Sequence, residues 1–355
     1  MSAVLASSLP AARPDDDRRP LAFSIVTATR PRLLAKAFSL DAEGHLVKAS
    51  VADMAAGSIE RREVPDLPAF AALLDRLEPA QALLYGLPHA RGHALQHSPV
   101  TTQADPDGSL AAGAAIARTN DYLRWERRPG ILMLDHDEPP PGQPVPDPEQ
   151  LRAWLIEAAP VLAETPMLWR PSASSFLFDR DGRELQGLRG QRLYLPVADA
   201  TKIEAAGRAL VARLWAAGFG WVKVGTAGQA LQRTIVDASV WQRSRLDFAA
   251  PPRLADGLQR RSPAPILWNE DAPWLDTDRL EADDEILRTA DRARKQATEA
   301  ARPEAAQARE AWIEAHAPPT GRSSQDRARR RSRGAGQRSG APGAAGRLRA
   351  AHPGG

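Results

Sequence analysis

The residues best suited to chemistry in this chain are consecutive: Leu134-Asp135-His136-Asp137-Glu138. Asp135 and Asp137 lie two apart, and on a strand that spacing projects both side chains to one side. Two carboxylates held together repel each other unless a divalent cation takes up the charge. Oxygen ligands of this kind suit magnesium or manganese, usually with one further carboxylate from a distant strand. Two residues could supply it. Asp237 ends the apolar run Thr234-Ile235-Val236, and Asp247 sits in Arg245-Leu246-Asp247-Phe248. Asp237 ranks first, because its run resembles the Ile131-Leu132-Met133-Leu134 run before Asp135. The plain alternative is a solvated strand end, with Asp237 or Asp247 capping a turn or pairing with an arginine.

Between the acids lies Trp169-Arg170-Pro171-Ser172-Ala173-Ser174-Ser175. Serine hydroxyls and turn amides hold phosphate oxygens, which makes Ser172 and Ser174 candidate contacts. Arg189 and Arg192, expected on the next strand, could clamp a triphosphate; the alternative is a polar turn with surface arginines. His136 points away from its two acidic neighbours by strand alternation, which suits a core or supporting role. His89, His93 and His97 recur every four residues and would line one helix face as a zinc site, but Pro88 and Gly92 favour a loop. Trp125, Trp169, Trp215 and Trp241 read as core anchors, any one of which could instead stack a nucleobase.

These residues need elements to position them. Residues 1–20, with Pro10, Pro14 and Pro20, read as a disordered leader. Residues 21–110 read as a small α/β unit with a helix from Leu67 through Leu77, then a strand from Ala82 to Gly86. The run Ile131–Leu134 predicts a buried strand that ends at Asp135. Asp147, Pro148 and Gln150 then supply an N-cap, a first-turn proline and a capping-box residue for the helix that follows. Asp179-Arg180-Asp181-Gly182 is a hairpin turn, and Arg192–Val197 a further strand. Thr201 and Glu204 suggest a second capping box for a helix closed by Gly218, with strands at Trp221–Val224 and Thr234–Val236. This alternation predicts a layered α/β core over residues 111–265. Residues 266–316 read as a solvated helical arm, and residues 317–355 as a disordered Arg/Gly-rich tail.

Composition narrows the class. Of 355 residues, 43% are hydrophobic and 26% charged, the balance of a soluble globular protein. There is no cysteine, which excludes disulfides, thiolate metal sites and cysteine nucleophiles. No apolar run approaches a membrane span, and Asp15-Asp16-Asp17 spoils a secretory signal, so a cytoplasmic protein is expected. The net charge of +3 conceals a split: residues 321–355 hold nine arginines and one acid, and the remainder 38 basic and 43 acidic side chains. The tail is expected to be an altered or truncated end that adds only salt-sensitive affinity for nucleic acid.

The order strand-Asp-x-Asp, helix, small-polar strand, helix, hydrophobic-Asp resembles the archaeo-eukaryotic primase superfamily. Within it, the order looks most like the primase–polymerase domains of plasmids, phages and integrative elements. The strings Ile131–Glu138, Pro171–Val197 and Arg233–Phe248 carry the resemblance. It implies an α/β (α+β) catalytic core with an RRM-like sheet, joined to the small N-terminal unit and the helical arm. It also implies template-directed synthesis of primers on single-stranded DNA from nucleoside triphosphates. Two Mg2+ or Mn2+ ions would be held by Asp135, Asp137 and Asp237, and Ser172, Ser174, Arg189 and Arg192 would contact the nucleotide. The family's middle motif has histidine where this chain has Ser174. Many relatives continue into a helicase; this chain has no Gly-Lys dipeptide and hence no Walker A loop, so a helicase would be a separate partner. A metal-dependent nuclease and a non-catalytic single-stranded-DNA-binding accessory protein are the alternatives.

Overall fold

Four strands form the sheet that carries the paired acids. Across the sheet they run Gly130–His136, Gln191–Val197, Met167–Pro171 and Ile266–Trp268, each antiparallel to its neighbour. The first two read as nearly unbroken apolar runs because the sheet is covered on both faces. Ile131 to Leu134 and Leu193 to Leu195 are all buried. The computed structural model describes residues 19–50, 54–88, 97–101 and 116–316. The expected leader up to residue 18 and the tail from 317 lie outside the described residues, as do His89 and His93. His97 begins a strand, His97–Thr101, so the helical histidine spacing is not realised there.

Along the chain, strand Gly130–His136 is followed by helix α2 (Pro148–Ala158), strands Met167–Pro171 and Gln191–Val197, and helix α3 (Ile203–Ala216). Helix α1 (Leu67–Leu74) precedes this core and helix α4 (Asp284–His316) follows it. Among the described residues the fold is mixed α/β, with four helices and several small sheets. Asp147 caps α2 as its sequence predicts, accepting the Gln150 amide at 2.8 Å with Pro148 in the first turn. The expected Thr201–Glu204 box does not form. Asp199 caps the turn before α3 by accepting from Thr201, and Glu204 instead accepts from the Trp125 indole at 3.0 Å. Gly218 closes the helix with φ +86°. Residues 266–268, expected in the arm, form the edge strand of the central sheet.

After α3 the chain makes a hairpin, Gly220–Val224 with Ala230–Thr234, and returns beside the first strand. The strand stops at Thr234, before the expected Val236. The returning segment is fixed by two bonds: the Asp237 amide donates to the Asp135 carbonyl at 2.8 Å, and His136 Nδ1 meets the Ile235 carbonyl at 2.7 Å. His136 is buried, as alternation requires. Trp241 anchors the same segment, donating from Nε1 to the Met133 carbonyl at 2.8 Å.

The residues expected as a separate N-terminal unit and those of the expected catalytic core share one hydrophobic core. Phe23 meets Phe70 edge-on at 5.2 Å, and Phe70 meets Tyr194 of the central sheet at 5.2 Å. A five-stranded sheet, with Leu21–Arg30 between Ala56–Val64 and Gln81–Leu84, supplies this side of the core. By contacts the chain forms two units, residues 1–224 with 230–302, and residues 225–229 with 303–355. In the second, Trp312 stacks on His316 at 4.3 Å. No helix among the described residues is long and apolar enough to cross a membrane.

Gly207 on α3 tests how firmly Trp241 is held. Alanine is the better helix former by about 1 kcal/mol. A Cβ at Gly207 would lie 2.2 Å from Trp241 Cε3, and the indole is fixed by its bond to Met133. Overpacking of about 1–3 kcal/mol should therefore win. Gly207→Ala is expected to lower stability in urea unfolding; a gain would show that the indole moves aside freely.

Candidate metal and phosphate site

Three charged residues stand in a row across the central sheet. Asp135 is paired with Arg192, and Arg192 with Arg170, so the three side chains share one face. The Arg192 guanidinium is buried. Its Nε lies 3.1 Å from Asp247 Oδ1 and 3.8 Å from Asp135 Oδ1, and Nη1 donates to the Phe248 carbonyl at 2.8 Å. Burial opposes the charge on Arg192, but Asp247 and Asp135 more than offset it and hold its pKa above the ordinary value.

Asp247 is only 2% exposed. Its Oδ2 accepts from the Tyr85 hydroxyl at 2.6 Å and the Tyr194 hydroxyl at 3.2 Å. Reciprocal backbone bonds with Leu83 fix it further. Asp247 is thus the buried counter-ion of Arg192, and of the two candidate third carboxylates Asp237 is the one that reaches a cavity. Arg192 lies beneath that cavity and does not line it, so the phosphate-clamp role expected of it has no accessible guanidinium to perform it.

The cavity has a volume of about 450 Å³. Asp137, Glu138 and Asp237 bring acid to its wall, and Lys36, Lys48, Arg189, Lys223 and Arg233 bring positive charge. Asp237 caps the turn Ala238–Trp241, accepting from the Ser239 amide and hydroxyl at 2.9 Å each. Arg189 reaches the wall from the loop before strand Gln191–Val197, not from the strand itself. Ser174 lines the cavity, whereas Ser172 is buried and holds it, with the two hydroxyls 2.9 Å apart. Gly190 makes room for this pair, since a Cβ there would lie 2.6 Å from Ser172 Oγ.

Lys36 is the residue that sequence reasoning missed. It begins strand Lys36–Leu40, which pairs with Leu46–Ser50 and with Arg253–Leu254. Its ammonium donates to Ser174 Oγ at 3.4 Å. Burial, with Arg192 and Lys48 nearby, lowers its pKa to about 8 despite Asp135 and Asp137. No local motif marks Lys36 or Lys48, because they reach the acids only through tertiary folding. Lys223 is tied to Glu138 at 2.6 Å.

The acids suit a hard divalent ion by donor type and by an unfilled valence. Asp135 Oδ1 is buried and has no hydrogen-bond donor. Burial, joined by repulsion from Asp137 and Asp247, raises the Asp135 pKa to about 6, although Arg192 pulls it down. Asp135, Asp137 and Asp237 do not form a single-ion cage. Among the described residues the one trio with ligand atoms within 4.8 Å of one another is Asp41, Glu43 and His45. That trio is a solvent-exposed turn in which Asp41 Oδ1 accepts the Glu43 and His45 amides. The tryptophans behave as anchors: Trp169 is buried with Nε1 donating to Gln191 Oε1 at 2.7 Å, and Trp215 and Trp241 are buried. No family model matches this chain, and neither a curated protein nor a solved structure does.

Removing a partner from a buried ion pair leaves an uncompensated charge, at a cost of about 3–5 kcal/mol. Arg192→Met should therefore be strongly destabilising, and Arg189→Ala, at an exposed position, should stay within about 0.5 kcal/mol. Equal, small effects in chemical denaturation would contradict a buried role for Arg192. Asp135 also sets a pH dependence. Its folded pKa of about 6 exceeds the ordinary 3.8, so the folded state binds more protons between those values. Its contribution is present below about pH 4 and is lost as pH rises through 6. Asp135→Asn, compared with wild type in chelator, should abolish that fall.

Proposed function

We propose that this chain is a template-directed nucleotidyltransferase, a primase or primase–polymerase of the kind carried by mobile elements. One observation supports the reading above all: a single cavity sets Asp137 and Asp237, with Asp135 behind them, against five cationic side chains. Carboxylates select divalent cations and a ring of cations selects a polyanion. A nuclease needs the first set, whereas a triphosphate-using enzyme needs both. The order of strands and helices, with acids on the first strand and on the returning segment, is also what an RRM-like primase core requires.

In this reading Asp137 and Asp237 would hold Mg2+ or Mn2+ at the cavity wall, with Asp135 behind them adding negative charge. The bound ions would favour ionisation of the attacking 3′-hydroxyl and neutralise charge on the departing pyrophosphate. Arg192 keeps Asp135 in place from below. Ser174 takes the position of the family's histidine, and the adjacent Lys36 ammonium supplies a positive donor there. Lys36, Arg189 and Arg233 orient the triphosphate, since charge-assisted bonds to phosphate are the stronger kind. Single-stranded DNA is the template in this reading, and a separate helicase a partner.

Primer synthesis on single-stranded DNA, with nucleotides and either Mg2+ or Mn2+, tests this directly. Asp137→Asn should reduce incorporation by at least about a hundredfold, since its charge acts where charge develops. Its unfolding midpoint should stay close to wild type, because Asp137 is exposed at a strand end. Lys36→Ala should raise the half-saturating nucleotide concentration by about tenfold, with a smaller change in kcat. Strand degradation without nucleotide would favour the nuclease instead. Full activity in Asp137→Asn would end the assignment.

A further inference from the structure

A second cavity, of about 300 Å³, lies at the far end of the charged row. The row runs Asp135, Arg192, Arg170 across three adjacent strands, so Arg170 stands about 10 Å from Asp135. Arg170 and Arg260 both line this cavity, and Asp75 is its one acidic residue. Arg170 is bound to Asp75 at 2.5 Å and donates to the Ala71 carbonyl at 3.2 Å.

Arg260 has no acidic partner among the described residues. Its Nε donates to the Ser175 carbonyl at 3.3 Å, and its Nη2 to the Pro171 and Ser172 carbonyls at 3.3 and 3.1 Å. Those bonds aim the guanidinium and leave Nη1 without a protein acceptor among the described residues. Burial lowers its pKa to about 10, and Arg170 and Arg192 push in the same direction. Two guanidinium groups against one carboxylate leave net positive charge in a concave site. Pro251, Pro263 and Pro265, which also line it, have no N–H to offer. Ser262 brings a neutral hydroxyl, which donates to the Pro263 carbonyl at 3.3 Å, and the charged donors are the arginines, whose planar forks match phosphate oxygens.

We propose that the Arg170–Arg260 cavity is a phosphate site, separate from the Asp137 cavity, that seats a phosphodiester of the single-stranded nucleic acid on which the enzyme acts. This rests on the reading of the chain as a nucleic-acid enzyme. It adds that one backbone phosphate of the strand is fixed at this cavity, away from the Asp137 cavity. A contact to backbone phosphate positions a strand without reading its sequence.

The test is binding of single-stranded oligonucleotides of several sequences to the full chain in chelator, across a range of salt. Arg170→Gln should weaken every oligonucleotide by about tenfold, as expected for loss of one charged hydrogen-bonding group. It should also make the salt dependence shallower by about 0.7 in log–log slope, the loss of one phosphate contact. Because Arg170 also holds Asp75, Ala264→Asp is the second variant. Ala264 is exposed on the cavity wall, and a carboxylate there would occupy the arginines without disturbing the core. It should reproduce the loss of binding. Affinity and slope unchanged in the folded variants would overturn the proposal. So would inorganic phosphate raising the melting temperature of wild type but not of Ala264→Asp while oligonucleotide affinity stays equal, since the site would then take a free ion. A chain that makes no primers, yet binds strands in an Arg170-dependent way, would retire the transferase reading and keep this site. One that makes primers but binds strands regardless of both substitutions would retire this site alone.

Discussion

The buried Arg192–Asp247 ion pair is the constraint on which the rest of the site depends. A guanidinium placed under a sheet is tolerable only where acids and carbonyls surround it. Here Asp247, Asp135 and the Phe248 carbonyl do so, and the Tyr85 and Tyr194 hydroxyls complete the shell of Asp247. Tyr85 follows a strand of the N-terminal sheet, Tyr194 lies on the central sheet, and Asp247 comes from the segment after the returning turn. One charged cluster therefore ties three stretches of chain that sequence distance separates. Because Asp135 shares Arg192 with Asp247, its Oδ1 faces the guanidinium at 3.8 Å without a hydrogen bond.

Around that cluster the molecule separates charge by depth. The interior holds one arginine between two aspartates, a net of −1 when both acids are ionised. The cavity above it is lined by more cations than acids, and these are mostly held apart from one another. Lys223 with Glu138 is the exception, a pair that can open at little cost because both ends are solvated. Such a surface attracts a polyanion through long-range charge while its acids wait for small cations.

Much of the secondary structure was legible in the sequence, for local reasons. Asp147-Pro148 marked α2 because an N-cap and a first-turn proline act within a few residues. Asp179 to Gly182 marked the hairpin because Gly182 needs a positive φ. Asp135 and Asp237 stood out as candidates because each follows an apolar run, and Asp137 because it lies two residues from Asp135. The roles of Arg192 and Asp247 were not, since an arginine on a strand reads the same whether its partner is solvent or a buried acid 55 residues away. Lys36 was invisible for a related reason: its neighbours come from residues 135, 137 and 174, and no local pattern encodes that meeting. The capping box at Thr201 failed because Asp199, two residues earlier, is the better acceptor for the same amide.

The shared core of the N-terminal and central sheets has a consequence for heredity. An exchange of residues 111–265 between related genes would transfer the acids, Ser174, Arg189 and Arg192 together. It would leave behind Lys36, Lys48, Tyr85 and the Phe70 ring that rests on Tyr194. The recipient would gain the carboxylates with Arg189, Lys223 and Arg233 but without Lys36 and Lys48, and a guanidinium whose counter-ion had lost one of its two hydroxyls. The site is therefore built from residues on both sides of position 111, and neither stretch alone carries all of it.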